Sequence, residues 1–261
     1  MASEARRPGR PAPEQSFDSS NSCRDVMRIA LMVLVYDELE GLRTIMPQVD
    51  KRWIDQILIV DGGSTDGSIE WCESNGYQVM RQRKPGLRAG YKEAMELIET
   101  DAVITFSPDG NSLVEAIPAI AAKLREGFDM VIASRYLPPA KSADDDIVTA
   151  FGNWLFTRTI NLLHGGNYTD AMVILRGYAK RTFYDLDLDK DETYALYERL
   201  FFTRIGVEPI LSVRAAKQKL KCADVAFDEP PRVGGSPRKL QVIRWGAAYY
   251  LQIIREFWHW K

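Results

Sequence analysis

From Met27 onward, short runs of uninterrupted apolar residues alternate with stretches in which apolar positions recur every three or four residues. Runs of the first kind suit strands buried on both faces, and stretches of the second suit helices laid over them. The alternation therefore predicts βαβ units around a largely parallel sheet. Strands are expected at 29–36, 56–61, 78–81, 102–106 and 130–134, and helices at 39–46, 68–74, 86–99 and 114–125. After a polar loop at 138–146 the rhythm loosens. A helix is expected at 151–163, a strand at 171–175, helices at 194–204 and 210–219, and a strand at 221–227. A Pro- and Gly-rich loop at 228–238 then leads to a last helix, 239–260. Its polar residues Gln241, Arg244, Gln252, Arg255 and His259 follow one stripe, and the remainder is apolar and aromatic. Residues 1–26, rich in Pro, Ser and Arg without an apolar run, read as a disordered tail. The expected organisation is that tail, one α/β domain over 27–235, and an amphipathic helix over 236–261.

Composition narrows the chemistry. Lys and Arg number 34 against 36 Asp and Glu, so no global field recruits nucleic acid, and none is expected as a partner. Three scattered cysteines, Cys23, Cys72 and Cys222, frame no disulfides and suit a cytoplasmic protein. With only His164 and His259 in the chain, a His-built metal site is excluded and a Ser-His-Asp triad is disfavoured. Catalysis must rest on carboxylates, basic groups, or a cation held by oxygen.

Two turns carry such groups. Asp61 ends a strand and is followed by Gly62-Gly63-Ser64-Thr65-Asp66-Gly67-Ser68, which places a carboxylate where open α/β sheets bind nucleotides. The same residues would also serve simply to turn the chain and cap a helix. Ser107-Pro108-Asp109-Gly110-Asn111 follows the strand 102–106, and Asp109 there could hold Mg²⁺ or Mn²⁺ against a diphosphate. Pro-Asp-Gly is ordinary turn chemistry as well.

Taken in order, these motifs resemble the family-2 glycosyltransferases of the GT-A fold, most closely the dolichyl-phosphate mannosyltransferase-like branch. Tyr36-Asp37-Glu38 is similar to that family's Tyr-Asn-Glu, the 60–68 segment to V-D-D-G-S-x-D-G-T, and Ser107-Pro108-Asp109 to D-x-D. Ala133-Ser134-Arg135-Tyr136 resembles G-S-R, Tyr168-Thr169-Asp170 with Arg176-Gly177-Tyr178 resembles T-D and G-F-R, and the segment from Asp224 to Ser236 resembles E-V-P, R and G-S-K. The resemblance implies a Rossmann-like, mostly parallel sheet flanked by helices, and an inverting, metal-dependent transfer from a nucleotide-diphosphate sugar. It implies that Tyr36, Glu38 and Asp61 line the nucleoside pocket, that Asp109 binds Mg²⁺ or Mn²⁺, and that Arg135, with Arg88 as a further candidate, approaches the diphosphate. Gly62 replaces the second acid of the D-D pair and Ser107 the first acid of D-x-D, leaving Asp109 as the sole acid of that motif, with Asn111 as a candidate helper.

The acceptor is expected to be a lipid-linked saccharide or a polyprenyl phosphate, in cell-surface glycan biosynthesis. A sugar hydroxyl would require a base, for which Glu208 is favoured, with Asp191 or Glu192 as alternatives; a phosphate requires none. The aromatic last helix either packs on the domain or a second subunit, or lies in a membrane interface, with its 257–260 end available to either. That makes the protein cytoplasmic, with a peripheral position on the membrane as one outcome. Competing readings are a catalytically silent nucleotide-sugar-binding subunit, suggested by Gly62 and Ser107, and a sugar nucleotidyltransferase, which should carry a Gly-rich basic loop near the first strand. Leu31 to Gly41 holds no such loop.

Overall fold

The computed structural model describes residues 27–233 and 242–260. Their sheet has seven strands in the order β3-β2-β1-β4-β6-β5-β7. The strands are β1 (Ile29–Val35), β2 (Gln56–Asp61), β3 (Gln78–Arg81), β4 (Ala102–Phe106), β5 (Met130–Ser134), β6 (Arg176–Ala179) and β7 (Cys222–Ala226). The helices are α1 (Leu39–Ile45), α2 (Ser68–Ser74), α3 (Leu87–Leu97), α4 (Ala116–Arg125), α5 (Ile147–His164), α6 (Lys180–Asp185), α7 (Glu192–Phe201), α8 (Glu208–Lys217) and α9 (Val242–His259). The expected tail, the 234–241 junction with Gln241, and Lys261 lie outside the described residues.

Every residue of β1 and β4 is buried, as their unbroken apolar runs require. Parallel register sets Val35 opposite Asp61 and Val33 opposite Phe106, so β1, β2 and β4 finish along one edge. That edge presents the Tyr36 turn, Asp61 and the Ser107-Pro108-Asp109 turn side by side. Apolar residues of α3, α7, α8 and α9 cover one face of the sheet, and those of α1 and α4 cover the other.

The second half departs from expectation in its details. The strand is Arg176–Ala179, and it runs antiparallel to both neighbours. The apolar stretch 171–175 expected to form it is instead an irregular connection, whose carbonyls at Ala171 and Val173 accept from the buried Arg176 guanidinium at 3.2 Å and, from Nε, 2.8 Å. Helix α5 starts at Ile147, earlier than expected, because Asp146 and Thr149 close a capping box. Helix α9 is embedded through Ala248, Tyr249 and Ile253. Its polar stripe is solvated only in part: Arg244 and His259 are exposed, whereas Gln252 is buried and donates to the Thr193 carbonyl at 3.0 Å. Glu256 is also buried, in a two-pronged ion pair with Arg214 at 3.1 Å. At the helix end, the Trp260 indole donates to Asp187 at 3.2 Å and lies over Arg214, so only part of the 257–260 segment faces solvent.

Candidate active site

The first two turns of the sheet edge are sewn together. Asp37 takes a left-handed conformation at φ 50°, which Asp tolerates better than most residues. It accepts from the Thr65 amide at 2.7 Å, and its own amide donates to Ser64 Oγ at 2.9 Å. The Glu38 and Leu39 amides donate to Ser68 Oγ at 3.1 Å and Asp66 at 3.0 Å. Asp61 is buried and accepts from the Ser64 amide at 2.9 Å. Tyr36, Glu38 and Asp61, the expected nucleoside group, therefore belong to one rigid corner.

The Asp109 turn abuts this corner through Gly41 of α1. A Cβ at Gly41 would stand 1.9 Å from the Pro108 carbonyl oxygen, so only glycine lets α1 support the turn. Asp109 accepts from the Asn111 amide at 3.2 Å and lies 4.0 Å from the Arg232 guanidinium. Asn111 donates to Asp144 at 3.0 Å, and its Oδ1 is buried without a partner. Among the described residues no cluster of three or more His, Cys, Asp or Glu side chains could hold a metal unaided. Asp109 and the unpartnered Asn111 oxygen nonetheless fit an oxygen-preferring divalent cation completed by a ligand's own oxygens.

Arg135, at the end of β5, stands in the cleft wall between two acids. Its Nε and Nη2 reach Asp170 at 2.6 and 3.0 Å, and Nη1 reaches Glu229 at 3.1 Å. Burial alone would raise the Asp170 carboxyl; the adjacent guanidinium overcomes this and holds it below the usual range. Glu229 is raised by burial in spite of Arg135. The guanidinium expected near the diphosphate is thus engaged in joining β5 to the segments carrying Asp170 and Glu229.

Glu208 is the first residue of α8, buried and accepting from Tyr91 Oη at 2.7 Å. Burial, with Glu208 second, raises the Tyr91 hydroxyl well above its ordinary pKa. Arg176 Nη1 bonds Ser212 Oγ at 2.9 Å and so secures α8 beneath the cleft. Asp191 and Arg88 find each other instead: Arg88 bonds Asp191 and also Glu198, at 3.0 Å, under the Tyr194 ring. The Arg88 hydrogen bond is the main cause holding the exposed Asp191 carboxyl below its usual value, which is unfavourable for a base. Neither residue lines the main cleft, nor do Tyr36, Glu38 and Asp61, whereas Asp109, Arg135 and Glu208 all do. The roles of Tyr91, Asp144, Arg176, Glu229 and Arg232 were not assigned from sequence, whereas Asn111 was a candidate helper to Asp109. Asn111, Arg176, Glu229 and Arg232 lie inside or beside the recognised motifs, but Tyr91 and Asp144 carry no local signal.

The cleft encloses about 680 Å³. One end is polar, with Asp109, Asn111 and Arg232; the other runs between α5 and α9 past Val148, Phe156 and Tyr250. A mostly parallel sheet with an antiparallel insertion, whose strand ends gather an acidic turn beside a nucleotide-type corner, is the architecture of a GT-A glycosyltransferase. The chain belongs to glycosyl transferase family 2, whose family model matches residues 34–186. It is 26% identical over 228 residues to glycosyltransferase AglJ of Haloferax volcanii, covering 87% of this chain and 71% of that protein. It is 22% identical over 230 residues to a dolichyl-phosphate hexose transferase of the same organism, covering 87% of this chain and 92% of that one. Among solved structures, glucosyl-3-phosphoglycerate synthase of Mycobacterium tuberculosis, in complex with Mn²⁺, UDP and glucosyl-3-phosphoglycerate, superposes with a TM-score of 0.56 at 16% identity, covering 94% of this chain and 84% of that one. The motif resemblance therefore holds for family, fold and branch, and the protein is a glycosyltransferase.

Proposed function

We propose that the enzyme transfers a hexose, with inversion, from a nucleoside-diphosphate sugar to a polyprenyl phosphate at the cytoplasmic face of a membrane, for glycan assembly. The observation that carries this reading is the cleft itself: its charged end at Asp109 adjoins the Tyr36–Asp61 corner through the Gly41 approach to Pro108, and its other end is an apolar passage between α5 and α9. A diphosphate fits the first environment and an isoprenoid chain the second. The name of the Haloferax volcanii dolichyl-phosphate hexose transferase supports the same acceptor class, and the Mn²⁺ and UDP bound by the mycobacterial synthase support a metal-assisted nucleotide donor.

In this reading Tyr36, Glu38 and Asp61 hold the nucleoside. A bound Mg²⁺ or Mn²⁺, held by Asp109 with Asn111 Oδ1, would supply positive charge against the leaving diphosphate. Arg232, close to Asp109, is placed to join it. Arg135 fixes the cleft wall, and an acceptor phosphate oxygen attacks the anomeric carbon opposite the diphosphate without a base. If the acceptor were a saccharide hydroxyl, Glu208, which lines the cleft, would take its proton.

The test is transfer by the purified protein with a panel of nucleotide sugars, polyprenyl phosphate in detergent, and Mg²⁺ or Mn²⁺. Metal-dependent formation of a polyprenyl-phosphate sugar with inverted configuration is expected. Nucleotide binding without turnover on any acceptor would favour a silent binding subunit and refute the proposal.

A further inference from the structure

The solvent face of α5 presents Ile147, Phe151, Trp154, Arg158 and Leu162, a single helical stripe by its spacing. Ile147 and Leu162 are 88% and 84% exposed, values at which a side chain rests on nothing. Helix α9 runs parallel beside it, with Phe156 and Tyr250 rings 5.8 Å apart and His164 and Phe257 rings 6.3 Å apart further along. Its outward positions include Ile243, Leu251 and Trp258, all exposed. Phe202, 85% exposed just past the end of α7, extends the patch, its carbonyl 3.5 Å from Arg244. Val148, Phe151 and Ile243 are exposed and also line the cleft, so the patch surrounds the cleft's apolar mouth.

Within the two helices the exposed charges share one sign, with the exposed Asp146 standing just before Ile147 as the α5 N-cap. Arg158 and Arg244 are exposed, and the only acid within the two helices, Glu256, is turned inward onto Arg214. A second copy docked through this face by a two-fold axis would oppose arginines to arginines with no carboxylate on the stripe to neutralise them. Anionic headgroups above an acyl layer complement both features.

We propose that the paired α5 and α9 face seats on the surface of an anionic lipid bilayer and brings the cleft mouth into the headgroup region. The proposal deepens the acceptor reading and rests on it for its purpose, so the test omits donor and acceptor. The full chain is floated with phosphatidylcholine vesicles with or without phosphatidylglycerol. It should float with the anionic vesicles, and brominated lipids should quench its tryptophan emission. Ile147→Ser/Trp154→Ser/Leu162→Ser, none of which lines the cleft, should lower flotation at least tenfold while UDP binding persists. Arg158→Glu should reduce binding to the anionic vesicles selectively. Equal flotation of the triple variant, or wild-type protein left in solution without quenching, would overturn the proposal. So would a doubled solution mass that the triple variant halves, which would assign the face to a second copy. Flotation without transfer to polyprenyl phosphate would remove the acceptor reading and leave the docking face standing.

Discussion

Replacing Arg135 by Met separates a structural clamp from a phosphate ligand. Methionine keeps much of the volume and removes the charge, stranding Asp170, fully buried, and Glu229, about 10% exposed at its side chain. Breaking a buried ion pair from one side costs about 3–5 kcal/mol, because the remaining charge has no solvent. Since domains are stable by only about 5–15 kcal/mol, urea unfolding should shift by roughly 1 M or more. The pH dependence has a definite sign. In the native protein Asp170 is held below its ordinary value, so its contribution is present above about pH 4 and is lost on acidification. In the variant burial acts unopposed and raises both carboxyls, so the penalty relative to wild type should grow as pH rises from 5 to 8. Adding Asp170→Asn should recover part of the loss, and the double-mutant cycle gives the coupling. A deficit below about 1 kcal/mol that does not vary with pH would refute the clamp. Normal stability with lost UDP binding would instead make Arg135 the phosphate ligand that its motif implies.

Asp109→Asn should keep the fold and lower transfer at least about 100-fold even at saturating Mn²⁺, measured by product formation. Gly41→Ala should destabilise by about 1–3 kcal/mol and weaken donor turnover, because the obstructing atom is backbone and the Asp109 turn must move, which denaturation and kinetics would both register. Glu208→Gln should leave transfer to polyprenyl phosphate within a few-fold; a loss of about 100-fold or more, at unchanged UDP affinity, would identify a base acting on a hydroxyl acceptor. His164 bonds the Ile253 carbonyl at 2.9 Å, its Nδ1 is buried without a partner, and burial lowers its pKa, with Lys217 opposing and Glu256 favouring the charged form. Its contribution to α5–α9 packing is therefore intact above about pH 6.5 and falls as pH drops below that value, so His164→Gln should flatten the melting-temperature profile between about pH 5 and 7.

The first half was legible because its strands are buried on both faces and their apolar runs stop where the chain turns, as at Asp61 and Phe106. The run Ala171 to Leu175 was misleading for the same reason: it is apolar and strand-like, yet Arg176, one residue later, draws its carbonyls into an irregular connection. Short apolar runs do not carry that distinction in their periodicity. Local motifs exposed Asp61, Asp109 and Glu208 as candidates. The engagement of Arg135 and the mutual pairing of Arg88 with Asp191 depend on partners tens of residues away, which no local spacing encodes. Gln252 read as one member of a polar stripe because polar spacing is the same whether such a residue meets water or the Thr193 carbonyl.

The antiparallel β6 has a consequence for synthesis on the ribosome. Strands β1 to β4 can pair as they emerge, but β5 is joined to β4 only through β6, whose Gly177 is flanked by Ile104 of β4 and Val131 of β5. The turn bearing Asp109 and the strand end bearing Arg135 are therefore held at a fixed separation only after residue 179 has left the exit tunnel. A nascent chain ending before that point has the Tyr36–Asp61 corner without an opposing wall. A chain stopped before β6 therefore lacks the assembled cleft between Asp109 and Arg135.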